Sequence, residues 1–171
     1  MQKPLETEYL AFYQPYITKT KEDESLLEQL ETIHQQTQDL LATIPTKKET
    51  YRYAEGKWTI RELMQHLMDT ERIMAYRALR IARGDQTDMP GFDDDAYVAA
   101  CDCSQTTLQE LLEEYKVLRQ STVLLFRGFS PTLYQNMGTA NGAKVSLRAL
   151  AAIIIGHEAH HVQVIRERYL D

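Results

Sequence analysis

The sequence predicts an all-α protein, a four-helix bundle whose long connections between helices carry short helices. Four long segments repeat apolar residues at steps of three and four, which is the period of an amphipathic helix. The chain has only seven glycines and five prolines, too few for a turn-rich all-β fold. Its 171 residues are the size of one domain, so we expect a single domain over residues 1–171.

The first long helix is predicted from about Glu24 to Leu41. Ser25 and Glu28 have the spacing of a capping box, in which each residue satisfies a free backbone N–H group at the start of the helix. Pro45 follows shortly after the predicted end.

The second long helix is predicted from Thr59 to about Arg83. Thr59 and Glu62 form another capping box, and Gly84 is a natural stop. The connection before this helix contains Tyr51 and Tyr53, whose alternation is compatible with an extended segment. No segment has the pattern of a core strand.

About twenty residues follow before the third long helix, and we expect a short helix over Asp94 to Ala100 within them. Cys101 and Cys103 lie just after it, and we interpret them as ordinary loop residues because no second pair accompanies them.

The third long helix is predicted from about Thr107 to Phe126 and ends before Gly128. Ser130 followed by proline indicates a further short helix. The fourth long helix is predicted from Ser146 to about Tyr169.

Charge and hydropathy exclude several partners. The net charge is −6 with no basic block, so a nucleic acid is not an expected partner. The longest apolar run, Ala149 to Ile155, is too short to span a bilayer. The first residues have no apolar segment typical of a signal peptide, and two cysteines make no disulfide framework. We therefore expect a cytoplasmic protein that binds neither membrane nor nucleic acid.

The fourth helix places histidines where a buried stripe would otherwise carry leucine. At steps of three and four, the stripe contains Leu147, Leu150, Ile154, His157, His161 and Val164. Residues four apart are neighbours on one helix face, so two imidazoles at this spacing can bind one metal ion. The alternative is that the two histidines pack in the core and bind no metal.

The segment from His157 to His161 matches the H-E-x-x-H string of zinc proteases. The ten residues after it contain no histidine, so a third ligand has to come from upstream. His66 lies on the apolar side of the second predicted helix, with Asp69 and Glu62 as candidates to orient its ring. Three histidines, His66, His157 and His161, suit a divalent ion such as zinc, nickel, iron or manganese.

The remaining histidines receive lesser roles. We expect His160 to lie in the wall of a pocket or to support one of the metal-binding residues, and His34 to be a packed histidine or to line a pocket. The N-terminal aromatic residues are expected to pack along the bundle or across a dimer; they are Tyr9, Phe12, Tyr13 and Tyr16.

Four segments resemble those of the DinB/YfiT-like superfamily of metalloenzymes. They are KWTIRELMQHLMDTER (57–72), YRALRIARGD (76–85), PGFDDDAY (90–97) and GHEAHHVQVIRERY (156–169). The resemblance implies a down-up-up-down order of helices, metal binding by His66, His157 and His161, and a homodimer.

The resemblance also implies an activity on a small-molecule substrate. Some members are S-transferases that use a low-molecular-weight thiol such as bacillithiol or mycothiol, and this is the expected function. The alternatives are a hydrolase that uses a metal-activated water and a bundle that binds a metal or ligand without catalysis. Glu158 is then the nearest candidate general base, unless it is an exposed helical residue. Arg72 and Arg80 are candidates to bind a carboxylate of the thiol cofactor, unless acidic neighbours pair with them.

Overall fold

A computed structural model describes residues 1–170, and over this range the chain forms six α-helices and one two-stranded sheet. The helices are α1 (Gln14–Ile17), α2 (Leu26–Leu41), α3 (Ile60–Ala82), α4 (Asp94–Ala100), α5 (Leu108–Arg127) and α6 (Leu147–Val164), and the strands are β1 (Met137–Ala140) and β2 (Ala143–Ser146). A single π-helical turn, Ile165–Tyr169, continues α6. Within the described range, no helix combines the length and the apolar character that crossing a membrane requires.

Side-chain caps set where the long helices begin. Ser25, Thr59 and Thr107 each accept a backbone hydrogen bond at the start of a helix, and a glutamate three residues on accepts one in return. Ser146 caps α6 through the backbone N–H of Ala149. The predicted starts of the helices are therefore confirmed, because each cap satisfies N–H groups that have no partner inside the helix.

The four long helices form a ring in which α2 and α3 each pack against both α5 and α6. One apolar cluster joins Leu41 at the end of α2, Leu63 and Leu111 in the first turns of α3 and α5, and Ile165 just after α6. The helices thus run down, up, up and down, as predicted. Because α3 and α5 are parallel, the chain between them has to return along the bundle, which explains the long connection that carries α4.

The β-hairpin formed by β1 and β2 was not predicted, and it corrects the expectation that the chain has no strand. Asn141 and Gly142 make its turn with positive φ angles of 53° and 71°. Asn-Gly is the strongest two-residue signal for such a turn. The segment around Tyr51 and Tyr53, in contrast, forms no strand.

Short elements cover the ends and one side of the bundle. Ser130 precedes a single 3₁₀ turn, Pro131–Leu133, at the predicted short helix. Helix α1 packs against the middle of α6, where Gly156 allows the two backbones to touch. A Cβ atom at Gly156 would lie 2.0 Å from the carbonyl oxygen of Tyr16, so only glycine fits there.

Candidate metal centre

Three histidines from two helices meet between α3 and α6. The Nε2 atom of His157 lies 2.9 Å from Nε2 of His66 and 3.1 Å from Nε2 of His161. His66 and His157 are buried, and His161 is partly buried. Over residues 1–170, no other group of three or more His, Cys, Asp or Glu side chains brings its ligand atoms this close together. The structure therefore brings together the three residues that the sequence predicts as ligands.

Helix geometry and aromatic packing hold the three rings in place. His157 and His161 are one turn apart on α6, and His66 faces them from α3. The Trp58 ring lies against His66 with centroids 4.7 Å apart, and the Tyr16 ring meets the edge of His157 at 5.3 Å. These contacts fix the orientation of the His66 and His157 rings.

The arrangement fits a divalent metal ion. Nitrogens bound to one ion at 2.0–2.1 Å in tetrahedral geometry lie about 3.3 Å apart, close to the separations of the Nε2 atoms here. Nitrogen donors of this kind suit zinc, nickel and iron(II). His66, His157 and His161 would hold the ion through their Nε2 atoms.

Burial keeps these imidazoles neutral, as metal ligands have to be. It lowers the pKa of His66 to about 4 and, with repulsion from His66 and His160, the pKa of His161 to about 3. The pKa of His157 falls well below its usual range because of burial and then the neighbouring histidines. At neutral pH all three lone pairs are available.

The carboxylate beside the cluster belongs to Asp94, not to Asp69 or Glu62. Its Oδ1 atom lies 3.8 Å from Nδ1 of His66. Glu62 instead completes the capping box of α3, and Asp69 accepts a hydrogen bond from Gln65. Burial, and then Asp95 and Asp93, raise the pKa of Asp94. The run of three aspartates in a long connection was the available signal, but it does not say which carboxylate faces the histidines.

Glu158 is buried in an ion-pair network in the middle of the bundle. One carboxylate oxygen accepts hydrogen bonds from Thr37 and Tyr115, and the other accepts one from Arg119. Arg119 also makes a bidentate pair with Glu71, at 2.9 and 2.7 Å. Glu158 is 2% exposed, so it is not the exposed helical residue that the sequence allowed as the alternative to a general base. Its role as general base stays a prediction; its contacts fix α6 against α2 and α5, and Arg119 extends the network to α3.

Arg72 and Arg80 lie outside the site. Arg72 pairs with Glu114 and Asp69 on the surface, and Arg80 pairs with Asp85. These contacts match the alternative of paired cations on an exposed helix face. Cofactor binding by either arginine stays a prediction that the geometry does not favour.

The other predicted residues lie around the cluster or away from it. His160 meets the ring of Tyr16 at 5.7 Å, and His34 packs on Tyr115 at 4.7 Å. Cys101 and Cys103 are free thiols, and burial followed by a hydrogen bond to Cys101 raises the pKa of Cys103 to about 12. A thiol that stays protonated is a poor nucleophile and a poor ligand.

Two cavities border the histidine cluster. The first cavity, of about 260 Å³, is bounded at one end by His157, and its walls come from the N-terminal segment, α3, the connection before α4, and α6. Side chains that line it include Tyr16, Thr70, Met74, Arg77, Phe92 and Asp94. Tyr13 and Tyr16 thus pack along the bundle and line this cavity, a role that the sequence does not reveal.

The second cavity, of about 250 Å³, borders the cluster at His161. His160 and His161 line it together with Trp58, Lys57 and Asp95. His160 is therefore part of a pocket wall, as predicted. His157 thus lines the first cavity and His161 the second.

Two solved structures share this fold. The first is YfiT from Bacillus subtilis, described as a probable metal-dependent hydrolase with an unusual four-helix bundle topology. It has a TM-score of 0.72 and 18% identity, over 87% of this chain and 90% of YfiT. A DinB-like protein from the same organism, YjoA, has a TM-score of 0.59 and 22% identity, over 84% of this chain and 91% of its own.

Two sequence relatives carry the name "Putative metal-dependent hydrolase". One, from Bacillus pumilus, is 27% identical and covers 92% of this chain and 91% of its own length. The other, from Oceanobacillus iheyensis, is 24% identical over 82% of this chain and 81% of its own length. The family model described as the DinB superfamily matches residues 29–165, which include all three histidines of the cluster. The chain belongs to the DinB superfamily.

Proposed function

We propose that this protein is a metal-dependent hydrolase that acts on a small molecule bound in the first cavity. The carrying observation is the set of three neutral imidazoles whose Nε2 atoms converge where His157 borders that cavity. A divalent ion held there would supply Lewis-acid chemistry, lowering the pKa of a water molecule or a thiol so that a nucleophile exists near pH 7. The names of the two sequence relatives support a hydrolytic reaction.

Asp94 is the side chain that we assign to proton transfer. It lies beside His66 and lines the first cavity with His157, so its carboxylate can accept a proton from an attacking nucleophile there. Its raised pKa brings it closer to the pH at which such a transfer is efficient. Asp95 lines the second cavity and is the matched control.

A second candidate, thiol-dependent S-transfer, is favoured by the second cavity. A transferase has to bind two organic reactants at one centre, whereas a hydrolase needs only one and water. The two cavities provide two such places, since His157 borders the first and His161 borders the second. In this reaction a low-molecular-weight thiol would occupy the second cavity and an electrophile the first.

Metal analysis of protein purified without a histidine tag tests the divalent ion that both proposed reactions require. The wild type should hold close to one divalent ion per chain, and His66→Ala, His157→Ala and His161→Ala should each lose most of it. His160→Ala is the control, because that ring neighbours the cluster without belonging to it. Full occupancy in all three variants would overturn the assignment.

A paired activity assay separates the two reactions. Zinc-, nickel-, iron- and manganese-loaded protein is tested with a panel of esters, amides and phosphoesters, and with monochlorobimane plus a series of thiols. Hydrolysis that Asp94→Asn reduces and Asp95→Asn does not supports the hydrolase. Conjugation that requires both metal and thiol, with no hydrolysis, replaces it with the transferase. If the protein shows neither activity, a bundle that binds a metal or ligand without catalysis becomes the better explanation.

The homodimer implied by the resemblance is also a proposal. Phe12 is 70% exposed at the outer edge of the first cavity, and burial of such a ring is a common reason for association. Light scattering of the wild type and of Phe12→Ser tests it, and a wild-type monomer at all concentrations would contradict it.

A further inference from the structure

The first cavity contains a buried arginine that has no carboxylate partner. Three arginines in residues 1–170 are buried: Arg77, Arg119 and Arg148. Arg119 pairs with Glu71 and Glu158, and Arg148 pairs with Glu8. Arg77 is 3% exposed, yet no acidic side chain of the described residues lies within ion-pair distance of it. A buried charge without a partner is unfavourable, so this one needs another explanation.

The neutral contacts of Arg77 fix its guanidinium and leave donors free. One Nη atom donates to the carbonyl oxygen of Pro90 at 2.8 Å, and the other lies 3.7 Å from the sulfur of Met74. The group also lies over the ring of Phe92, 5.9 Å from its centroid. A guanidinium has five N–H donors, so several remain for a ligand in the cavity. These contacts position the group without neutralising its charge.

One face of α3 leads from the metal centre to this arginine. His66, Thr70, Met74 and Arg77 follow one another at steps of four, four and three, and the last three line the first cavity. Thr70 and Arg77 are seven residues apart, about 10 Å along the helix axis. Asp94, the acidic side chain lining the same cavity, lies at the other end, beside His66. The cavity therefore has a cationic end away from the reacting centre.

We propose that Arg77 binds an anionic group, a carboxylate or a phosphate, of the substrate in the first cavity. The reacting group of the same molecule then lies at the histidine end. The identity of the ligand as substrate rests on the proposed function, but anion binding by Arg77 does not. A guanidinium binds either anion through two parallel hydrogen bonds, which gives both orientation and selectivity. The cavity volume of about 260 Å³ restricts the ligand to a small molecule.

Binding of matched probes to metal-free protein tests this inference. Metal is removed because an ion at the histidines would itself attract anions. Benzoate, phenyl phosphate and the neutral benzamide are titrated by ligand-observed NMR at pH 7.5. At least one of the two anions should bind tenfold or more tightly than benzamide, and which one it is separates a carboxylate from a phosphate ligand. Equal binding of all three probes, or no binding of either anion, would overturn the inference.

Substitutions locate the anion. Arg77→Met should remove the preference for the anion, and Arg77→Lys should keep part of it because the charge stays but the bidentate geometry does not. Arg61→Met is the matched control, since Arg61 lies on the same helix but pairs with Glu49 outside the cavity. Unchanged anion binding in Arg77→Met would place the site elsewhere. If that variant does not fold, the response of Arg77→Lys decides.

The two proposals fail in different ways. If anions bind through Arg77 but the protein shows no metal-dependent hydrolysis, the proposed function is contradicted and the anion site is supported. Metal-dependent hydrolysis, in a protein whose anion binding Arg77→Met leaves unchanged, would support the proposed function and contradict the anion site.

Discussion

Replacing Glu158 by glutamine distinguishes a structural carboxylate from a catalytic one. The wild-type side chain is 2% exposed and accepts hydrogen bonds from Thr37, Tyr115 and Arg119. A glutamine can still accept from the two hydroxyl groups through its oxygen. Its amide nitrogen would then face the Arg119 guanidinium, donor against donor, and the ion pair is lost.

The expected loss of stability in Glu158→Gln depends on the ion pair that Arg119 keeps. Breaking a buried ion pair typically costs 3–5 kcal/mol, and Arg119 keeps its bidentate pair with Glu71, so we expect about 3 kcal/mol. The free energy of unfolding of metal-free protein is measured by denaturant titration. Glu31→Gln is the control, because it breaks an exposed pair with Arg127 and should cost at most about 1 kcal/mol.

Metal affinity gives a second measurement on the same variant. Glu158 adjoins His157, so loosening α6 should weaken metal binding about tenfold, the low end of what loss of a supporting residue costs. An unfolding free energy within about 1 kcal/mol of the wild type, with turnover lost at full metal occupancy, would contradict a structural role for Glu158. The carboxylate would then act in the reaction, as the H-E-x-x-H string suggests.

Three further predictions concern packing, pH and metal. Gly156→Ala should destabilise the protein by about 1–3 kcal/mol, because its Cβ atom would meet the backbone of Tyr16; a denaturation midpoint equal to that of the wild type would contradict the close approach. Burial lowers the pKa of His34 to about 4 from an unfolded value near 6.5, so the unfolded state takes up this proton first and stability falls as pH drops from 6.5 to 4. His34→Phe should reduce that loss by about 1 kcal/mol after allowance for the partial exposure of the ring, and parallel curves for the two proteins from pH 7 to 4 would argue against it. Zinc at 100 times its Kd should stabilise the wild type and His160→Ala by about 2.7 kcal/mol and His157→Ala hardly at all, as thermal unfolding would record; equal stabilisation of all three would show that zinc binds elsewhere.

Helix starts and the placement of His157 beside His161 are predictable because they depend on local spacing. Ser25 and Thr59 cap the helices that they were expected to cap, since the cap and its acceptor lie within four residues. His157 and His161 are neighbours for the same reason. The involvement of His66 required only the knowledge that its helix faces α6.

Side-chain contacts between distant parts of the chain are not predictable from local spacing. The network of Glu158 joins side chains from four helices, two of them from α5, so no local pattern indicates it. Among the arginines of α3, the sequence drew attention to Arg72 and Arg80, whereas Arg77 is the one in the cavity. Its surroundings depend on how the N-terminal segment and the connection before α4 fold over the helix.

X-ray absorption spectroscopy of the zinc-loaded, untagged protein identifies the side chains that bind the ion. Three imidazole nitrogens are expected at about 2.0–2.1 Å from one ion, and one fewer in His66→Ala. A sulfur ligand, or the same imidazole count in that variant, would contradict a metal centre built from His66, His157 and His161.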